Sequence, residues 1–550
     1  VPDPSPELTG AEARRPPILE RVIAAVRSGD IENAQRLSEQ ALSSGVEHPL
    51  LLNLRALDHE QAGRFEAALT DLRRAHVLAP KDFATLNACG LCLGRLERHE
   101  EALQCFAQVV AIKSDFAPGW FNRGWTLERL GEKAEAARSY ETCVSFDPGH
   151  ASAWANLAFL AARRGDAQAA RDHAMRALAL QPDNATAKIA LADADMDRPE
   201  LAEQQLRDLA AGPLAPFERG LCLGLLADAL DAQGKIDEAF ATYAQSNALF
   251  RAEAAPQYEG PGQATVPSVL TWLTRWARGL DRDRWTGDTS DDAGRGGEAG
   301  HVFLLGFPRS GTTLIETVLA NHPNVVSLEE RNTLHAAVLD FLADEAGLLR
   351  LETASKSQLR RYREDYWARV SQFGIEPTGK IFIDKNPFNA LKLPLIYKLF
   401  PRAKVIFAVR DPRDVVLSCF RRRFNLNAST YEFLEMRRAA ENYDQTMRFV
   451  EVLRPKQKLA EHRLVYEDLV ADFPRIAKAT CEFIGADWRD DLIDIAGRAR
   501  RGDVASASSA QIARGLYSDG AGQWRRYAAH LAPIMPILNP WIQHFGYAVD

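Results

Sequence analysis

Along the first 250 residues, apolar positions recur with the spacing of one helix face, and the pattern itself repeats. Pro80, Ser114, Pro148 and Pro182 lie 34 residues apart, as do Ala34, Ala68, Ala102, Ala136 and Ala170. Gly29, Gly63, Glu97, Gly131 and Gly165 form a third series with the same period, and Trp120 and Trp154 a fourth. A fixed period of this length predicts stacked supersecondary units, here two amphipathic helices each. The small Ala lets the helices approach, Gly or a polar residue turns the chain, and Pro follows the second helix. Gly234, Ala239 and Tyr243 mark a further unit after a degenerate stretch. Beyond Phe250 the pattern fades into "APQYEGPGQATVP", a short apolar helix near 269–280, and the polar run "TGDTSDDAGRGGEAG". From His301 the pattern changes again. The short apolar runs "HVFLLGF", "KIFID" and "KVIFAV" are each followed by a turn and a helical pattern, which predicts strands of a parallel sheet.

The repeated unit resembles the tetratricopeptide repeat, best matched by "PGWFNRGWTLERLGEKAEAARSYETCVSFDP", Pro118 to Pro148. That resemblance implies an all-α solenoid over residues 15–253, a linker with a short helix over 254–300, and a separate α/β domain over 301–547. A solenoid offers a concave face for an acceptor, a protein partner or a second copy of the chain as a homodimer. Trp120, Trp125, Trp154 and Tyr140 fall at positions where bulk fills the core between helices. Cys89 and Cys92 have C-x-x-C spacing, with Cys105 and His99 nearby, but the repeat gives them packing slots. A Gly-rich linker between the two parts implies that a chain starting near Gly297 folds alone.

Composition sharpens this picture at three points. The seven cysteines form no framework and point to a reducing, cytoplasmic setting. "VPDPSPELTG" shows no secretory pattern, although without a starting Met there is room for a removed segment. No apolar run approaches the roughly 18 residues of a membrane helix. The formal net charge of −7 divides unevenly, with 32 Lys and Arg against 44 Asp and Glu before residue 301, and 35 against 30 after it. The basic half suits an anionic ligand, with neither nucleic acid nor membrane as partner.

"FLLGFPRSGTTLIETVLANHP" resembles a nucleotide phosphate loop in which Thr312 stands where a Walker lysine would be. Strand, tight turn and helix would aim the backbone N–H groups of Ser310, Gly311, Thr312 and Thr313 at an anion. Arg309 is the cation in the loop. A second unit, "AKVIFAVRDPRDVVLSCF", ends its strand at Arg410 and carries Ser418 on the following helix, and a strand between the two ends at Lys385. Ligands of parallel sheets bind outside the carboxyl ends of the strands, so Arg309, Lys385 and Arg410 are placed to converge. Two other readings are a degenerate P-loop nucleotide kinase, which the missing lysine disfavours, and a repeat scaffold with an inactive domain. The triplet Arg421 to Arg423 reads as a solvated helix face or a contact for an acidic acceptor.

"GFPRSGTTL", "VRDPRDVVLS" and "LVYEDLV" in that order resemble the sulfotransferases that use 3′-phosphoadenosine 5′-phosphosulfate (PAPS), and "PRSGTTLIETVLANHPNVVSLEE" is most similar to the tyrosylprotein branch. The resemblance implies a PAPS-dependent sulfotransferase that forms adenosine 3′,5′-bisphosphate (PAP) and needs no metal. Its acceptor hydroxyl belongs to a protein tyrosine, a saccharide or a small metabolite. It also assigns Arg309 and Ser310 to Thr313 to the 5′-phosphosulfate, and Arg410 and Ser418 to the 3′-phosphate. The base is placed at Glu330, with Glu329 as the alternative, and the leaving-group cation at Lys385. Tyr466 contacts the nucleotide or fills the core, and Ser508 approaches the reaction centre. His322 reads as a helix-end cap. Gln523 and Asn332 stand where the tyrosylprotein branch has basic residues, so peptide-tyrosine specificity does not carry over. Arg525 is a neighbouring source of charge.

Overall fold

The structure is a computed structural model that describes residues 16–260, 265–285, 297–493 and 520–549. They gather into two compact units that divide between residues 194 and 195, apart from residues 163–165. The first unit is a series of helical hairpins: α1 (Pro17–Arg27) with α2 (Ile31–Ser43), α3 (Pro49–Gln61) with α4 (Phe65–Leu78), and α5 (Phe83–Arg95) with α6 (His99–Ile112). These are followed by α7 (Ala117–Arg129) with α8 (Lys133–Phe146), α9 (Ala151–Arg163) with α10 (Ala167–Leu180), and α11 (Ala185–Ala194). The periodic alanines 34, 68, 102, 136 and 170 are fully buried. Gly29, Gly63, Gly131 and Gly165 all have positive φ, and Glu97 adopts the same left-handed turn at φ 58°. The third series therefore marks the turn between the two helices of each repeat, a left-handed backbone position where a side chain is strained. Cys89 and Cys92 lie in the core with Ala68, Leu72 and Phe106. Burial pushes their thiols up to about 12 and about 11, so they pack as small apolar groups.

In the second unit come α12 (Pro199–Ala211), α13 (Pro216–Ala232) and α14 (Ile236–Tyr258), then α15 (Val266–Gly279) and α16 (Arg282–Trp285). The repeat period groups residues 195–253 with the solenoid, whereas their packing places them with the α/β part. Asn247 Nδ2 donates to the Phe420 carbonyl at 2.9 Å, and Phe240 stacks on Phe420. The polar linker at 286–296 lies outside the described residues.

β1 (Gly300–Gly306), β2 (Val325–Glu329), β3 (Ile381–Lys385), β4 (Lys404–Val409) and β5 (Ala460–Val465) form one sheet in the order β2-β3-β1-β4-β5, every pair parallel. The near-continuous apolar sequences of β1, β3 and β4 follow from burial on both faces. Val302, Leu304, Ile383 and Ile406 meet Ile315, Val318 and Leu469 on one face. On the other, His301 is walled by the rings of Phe303, Tyr366, Trp367, Phe382 and Phe400, and its Nε2 pairs with Tyr366 Oη at 2.9 Å.

Burial pushes the His301 imidazole down to about 3. A folded value below the unfolded one means that the unfolded chain binds the extra proton, so stability falls as pH drops from about 6.5 towards 3. His301→Phe is expected to flatten this limb. Between pH 6.5 and 4.5 the wild type should lose up to about 2.3 kcal/mol more than the variant in urea titrations.

Candidate active site

The three adjacent strands β3, β1 and β4 end at Lys385, Gly306 and Val409, so the residues that follow leave the sheet at one edge. Gly306 lets β1 and β4 close: a Cβ there would stand 2.5 Å from the Ala408 carbonyl oxygen. The next turn is made by Arg309 at φ 72° and Gly311 at φ 91°, and α17 (Thr312–Leu319) begins at once. Its N-cap is Gly311, which has no side chain to cap with, so the helix start presents backbone donors and the positive end of its dipole. Ser310, Thr312 and Thr313 are buried around this turn.

β4 runs into Arg410, Asp411 and α18 (Pro412–Arg421). Arg410 Nη1 donates to the Arg309 carbonyl at 3.0 Å, and Arg309 Nε donates to Ser418 Oγ at 3.0 Å. The second Arg410 amino group donates to the Gly520 carbonyl. Arg410 lies 4.6 Å from the Tyr466 ring centroid. Tyr466 opens α19 (Tyr466–Ala471) and also packs beneath Gly311, where a Cβ would come within 2.5 Å of its ring. Arg309, Arg410, Ser418 and Tyr466 are thus one contact group, and Arg410 Nε is buried there without a partner.

Lys385 heads the second group. Its ammonium is fully buried and lies 2.8 Å from Glu330, 3.0 Å from Glu329 and 3.5 Å from Glu316. Burial alone would push its pKa down, but Glu330, Glu316 and Glu329 outweigh that and hold it protonated above a lysine's ordinary value. The side chain of Glu330 is 42% exposed, against 15% for Glu329 and 7% for Glu316. Ser327 Oγ donates to Glu316 at 2.8 Å. Glu316 stands on α17, so the loop helix reaches both groups.

Glu330 has φ 50°, a left-handed conformation that its neighbours fix. Its N–H donates to the Lys385 carbonyl at 2.7 Å, Asn386 Nδ2 donates to the Arg331 carbonyl at 3.3 Å, and Thr333 Oγ1 donates to Asp384 at 2.8 Å. The residues on either side of Lys385 therefore clamp the loop that carries Glu330. Burial raises the pKa of Asp384, while donors from Thr333, Tyr366 and Asn389 oppose the shift.

Most of the residues singled out from sequence meet in these two groups. Ser508 lies outside the described residues. Tyr466 is both a core tyrosine and the ring against Arg410. His322 is buried and its Nδ1 accepts the Asn324 N–H at 3.1 Å, a turn-closing role. Arg525 stacks on Trp524 at 5.1 Å. Asn332 Oδ1 accepts from Lys392 at 3.3 Å, so a cation reaches this position from another segment. The triplet does not form a solvated face: Arg421 pairs with Asp231, and Arg423 with Asp228 at 2.8 Å. Glu316 and Asp414 were missed. Asp414 accepts the N–H groups of Gly522 and Trp524 at 2.6 and 2.8 Å. Each is the one carboxylate in its short helix, which was the available signal.

Residues 301–490 match the sequence profile of the sulfotransferase family. Residues 19–83, 53–119 and 117–150 match tetratricopeptide-repeat profiles. The chain carries tetratricopeptide repeats and a sulfotransferase-family domain. An uncharacterized protein of Aquifex aeolicus is 28% identical over 261 residues, 43% of this chain and 32% of that protein. The protein-tyrosine sulfotransferase of Drosophila melanogaster is 25% identical over 202 residues, covering 35% of this chain and 39% of its own length. Protein-tyrosine sulfotransferase 1 of Danio rerio is 24% identical over 263 residues, covering 45% and 72%. The chain thus spans well under half of the first two relatives. The sulfotransferase-family domain contains both residue groups except Gly520.

Proposed function

We propose that the sulfotransferase-family domain moves a sulfuryl group from PAPS to an acceptor hydroxyl. The observation that carries this reading is a buried, protonated lysine shared by three carboxylates beside a phosphate-type loop that lacks a Walker lysine. The residues present fit such a donor. Arg410 keeps a buried, unpaired Nε, the loop offers a helix start without a side-chain cap, and Arg309 and Arg410 supply two positive charges.

When bound, the donor supplies an electrophilic sulfur and a phosphate able to leave as PAP. Arg309 and the N–H groups of Gly311 to Thr313 would hold the phosphosulfate, joined by the Ser310 N–H once it leaves the Phe307 carbonyl that it meets at 3.2 Å, and Arg410 with Ser418 would hold the 3′-phosphate. Lys385 has a proton to donate and is positioned to stabilise negative charge on the leaving oxygen. Glu330 is the most accessible of its three carboxylates, so it can turn towards the acceptor and take its proton. Glu329 and Glu316 meanwhile remain as partners of the lysine, which keeps the buried charge compensated. The acceptor is a hydroxyl of a protein tyrosine, a saccharide or a small metabolite, and the repeats recruit it or a partner.

Incubation with PAPS and candidate acceptors tests the reading by mass spectrometry. An acceptor should gain the mass of one SO₃ unit while PAP appears in equal amount. PAPS consumption without acceptor gain, or no consumption with any hydroxyl class, would contradict it. Thr333→Val removes one side of the loop clamp and should lower turnover by about three- to thirtyfold. Because neither nucleotide arginine is touched, PAP affinity measured by calorimetry should not change.

A further inference from the structure

The hairpin α13–α14 bears on the nucleotide-side residues through one carboxylate. Asp231, near the end of α13, is buried. One of its oxygens accepts from Arg421 at the end of α18, and the other accepts from Tyr527 Oη at 2.7 Å. Arg526 approaches that second oxygen at 3.2 Å and donates to the Asp231 carbonyl at 2.6 Å. The Arg421 guanidinium lies between the rings of Tyr243 and Tyr527, at 5.5 and 5.3 Å. Asp231 therefore joins two segments that do not follow each other in the chain.

Both segments lead to Arg410. α18 carries Ser418, which accepts from Arg309, and begins two residues after Arg410. The segment that ends at Tyr527 supplies the Gly520 carbonyl to Arg410 and is held by Asp414 through the Gly522 and Trp524 N–H groups. We infer that Asp231 is a positioning residue for the nucleotide site, setting the spacing between α18 and the 520–527 segment from a helix of repeat type. This rests on the PAPS reading above. A protein bound to α13–α14 would then act on donor affinity without touching the donor.

The test uses the full chain and PAP titrated by calorimetry. Asp231→Asn removes the carboxylate that pairs with Arg421, and the PAP dissociation constant should rise roughly tenfold or more. Tyr527→Phe keeps the ring and removes one hydrogen bond, and should weaken PAP by about three- to tenfold. At saturating PAPS, turnover should stay close to wild type in both variants. A merely structural role gives a different signature, since a smaller folded fraction lowers the binding stoichiometry and turnover but not the dissociation constant of what remains folded. If Asp231→Asn does not fold, Tyr527→Phe decides. A folded variant that binds PAP as tightly as wild type overturns the inference. A wild type that does not bind PAP at all overturns the PAPS reading itself, and this inference with it.

Discussion

Glu330→Gln should lower turnover by about 10²- to 10⁴-fold, the usual worth of a positioned general base. The amide keeps the shape of the side chain, and Lys385 retains Glu329 at 3.0 Å and Glu316 at 3.5 Å, so the buried ammonium stays compensated. PAP affinity should therefore be unchanged, because Arg309, Arg410 and Ser418 do not touch the substituted group. Glu329→Gln separates the two adjacent carboxylates. At 15% exposure Glu329 serves Lys385 more than solvent. Its loss should be felt mainly in thermal stability, with turnover reduced less than in Glu330→Gln. Steady-state kinetics with PAPS, alongside PAP calorimetry, check both. Equal activity of Glu330→Gln and wild type would remove the base from Glu330.

Contrary to the expectation from the Gly-rich linker that it folds alone, a chain that begins near Gly297 is expected to be insoluble or unable to bind PAP, whereas one that begins near Asp195, where the second compact unit starts, should bind it like the full chain. The shorter chain loses α13 and α14, and with them Asp231, Asp228 and the Asn247 donor to Phe420. Arg421 would be left between Tyr527 and solvent, and the ring of Phe420, now packed on Phe240, would be exposed. Uncompensated charge and newly bared apolar surface both act on the helix that carries Ser418. Gel filtration and PAP titration of the two chains measure the difference. A soluble 297-start chain with full PAP affinity would show that the hairpin is dispensable.

This is also where the sequence was least legible. Its 34-residue period recovers each hairpin and even the left-handed turn at Glu97, because local spacing and backbone geometry are written in adjacent residues. The strands ending at Gly306, Lys385 and Val409 were equally plain, since parallel strands buried on both faces leave apolar runs bounded by turns. What the hairpin α13–α14 packs against is set by Asp228, Asp231 and Asn247 meeting residues more than 170 positions away, and no local pattern records that. Arg421 and Arg423 looked like a solvated face because their partners were unseen. Likewise Glu316 reads as one acid in a helix until β3 brings Lys385 beside it.

The central claim is that the edge formed by β3, β1 and β4 holds a 3′-phosphorylated adenosine nucleotide through arginines, without a Walker lysine or a metal. Thermal unfolding in EDTA with PAP tests it most directly, with ATP and Mg²⁺ in a parallel scan without chelator. At a hundred times its dissociation constant, PAP should stabilise the fold by about 2.7 kcal/mol. Arg410→Ala should abolish that gain, and ATP with Mg²⁺ should give little. Stabilisation by ATP with Mg²⁺ and none by PAP would contradict the account and return the site to a nucleotide kinase.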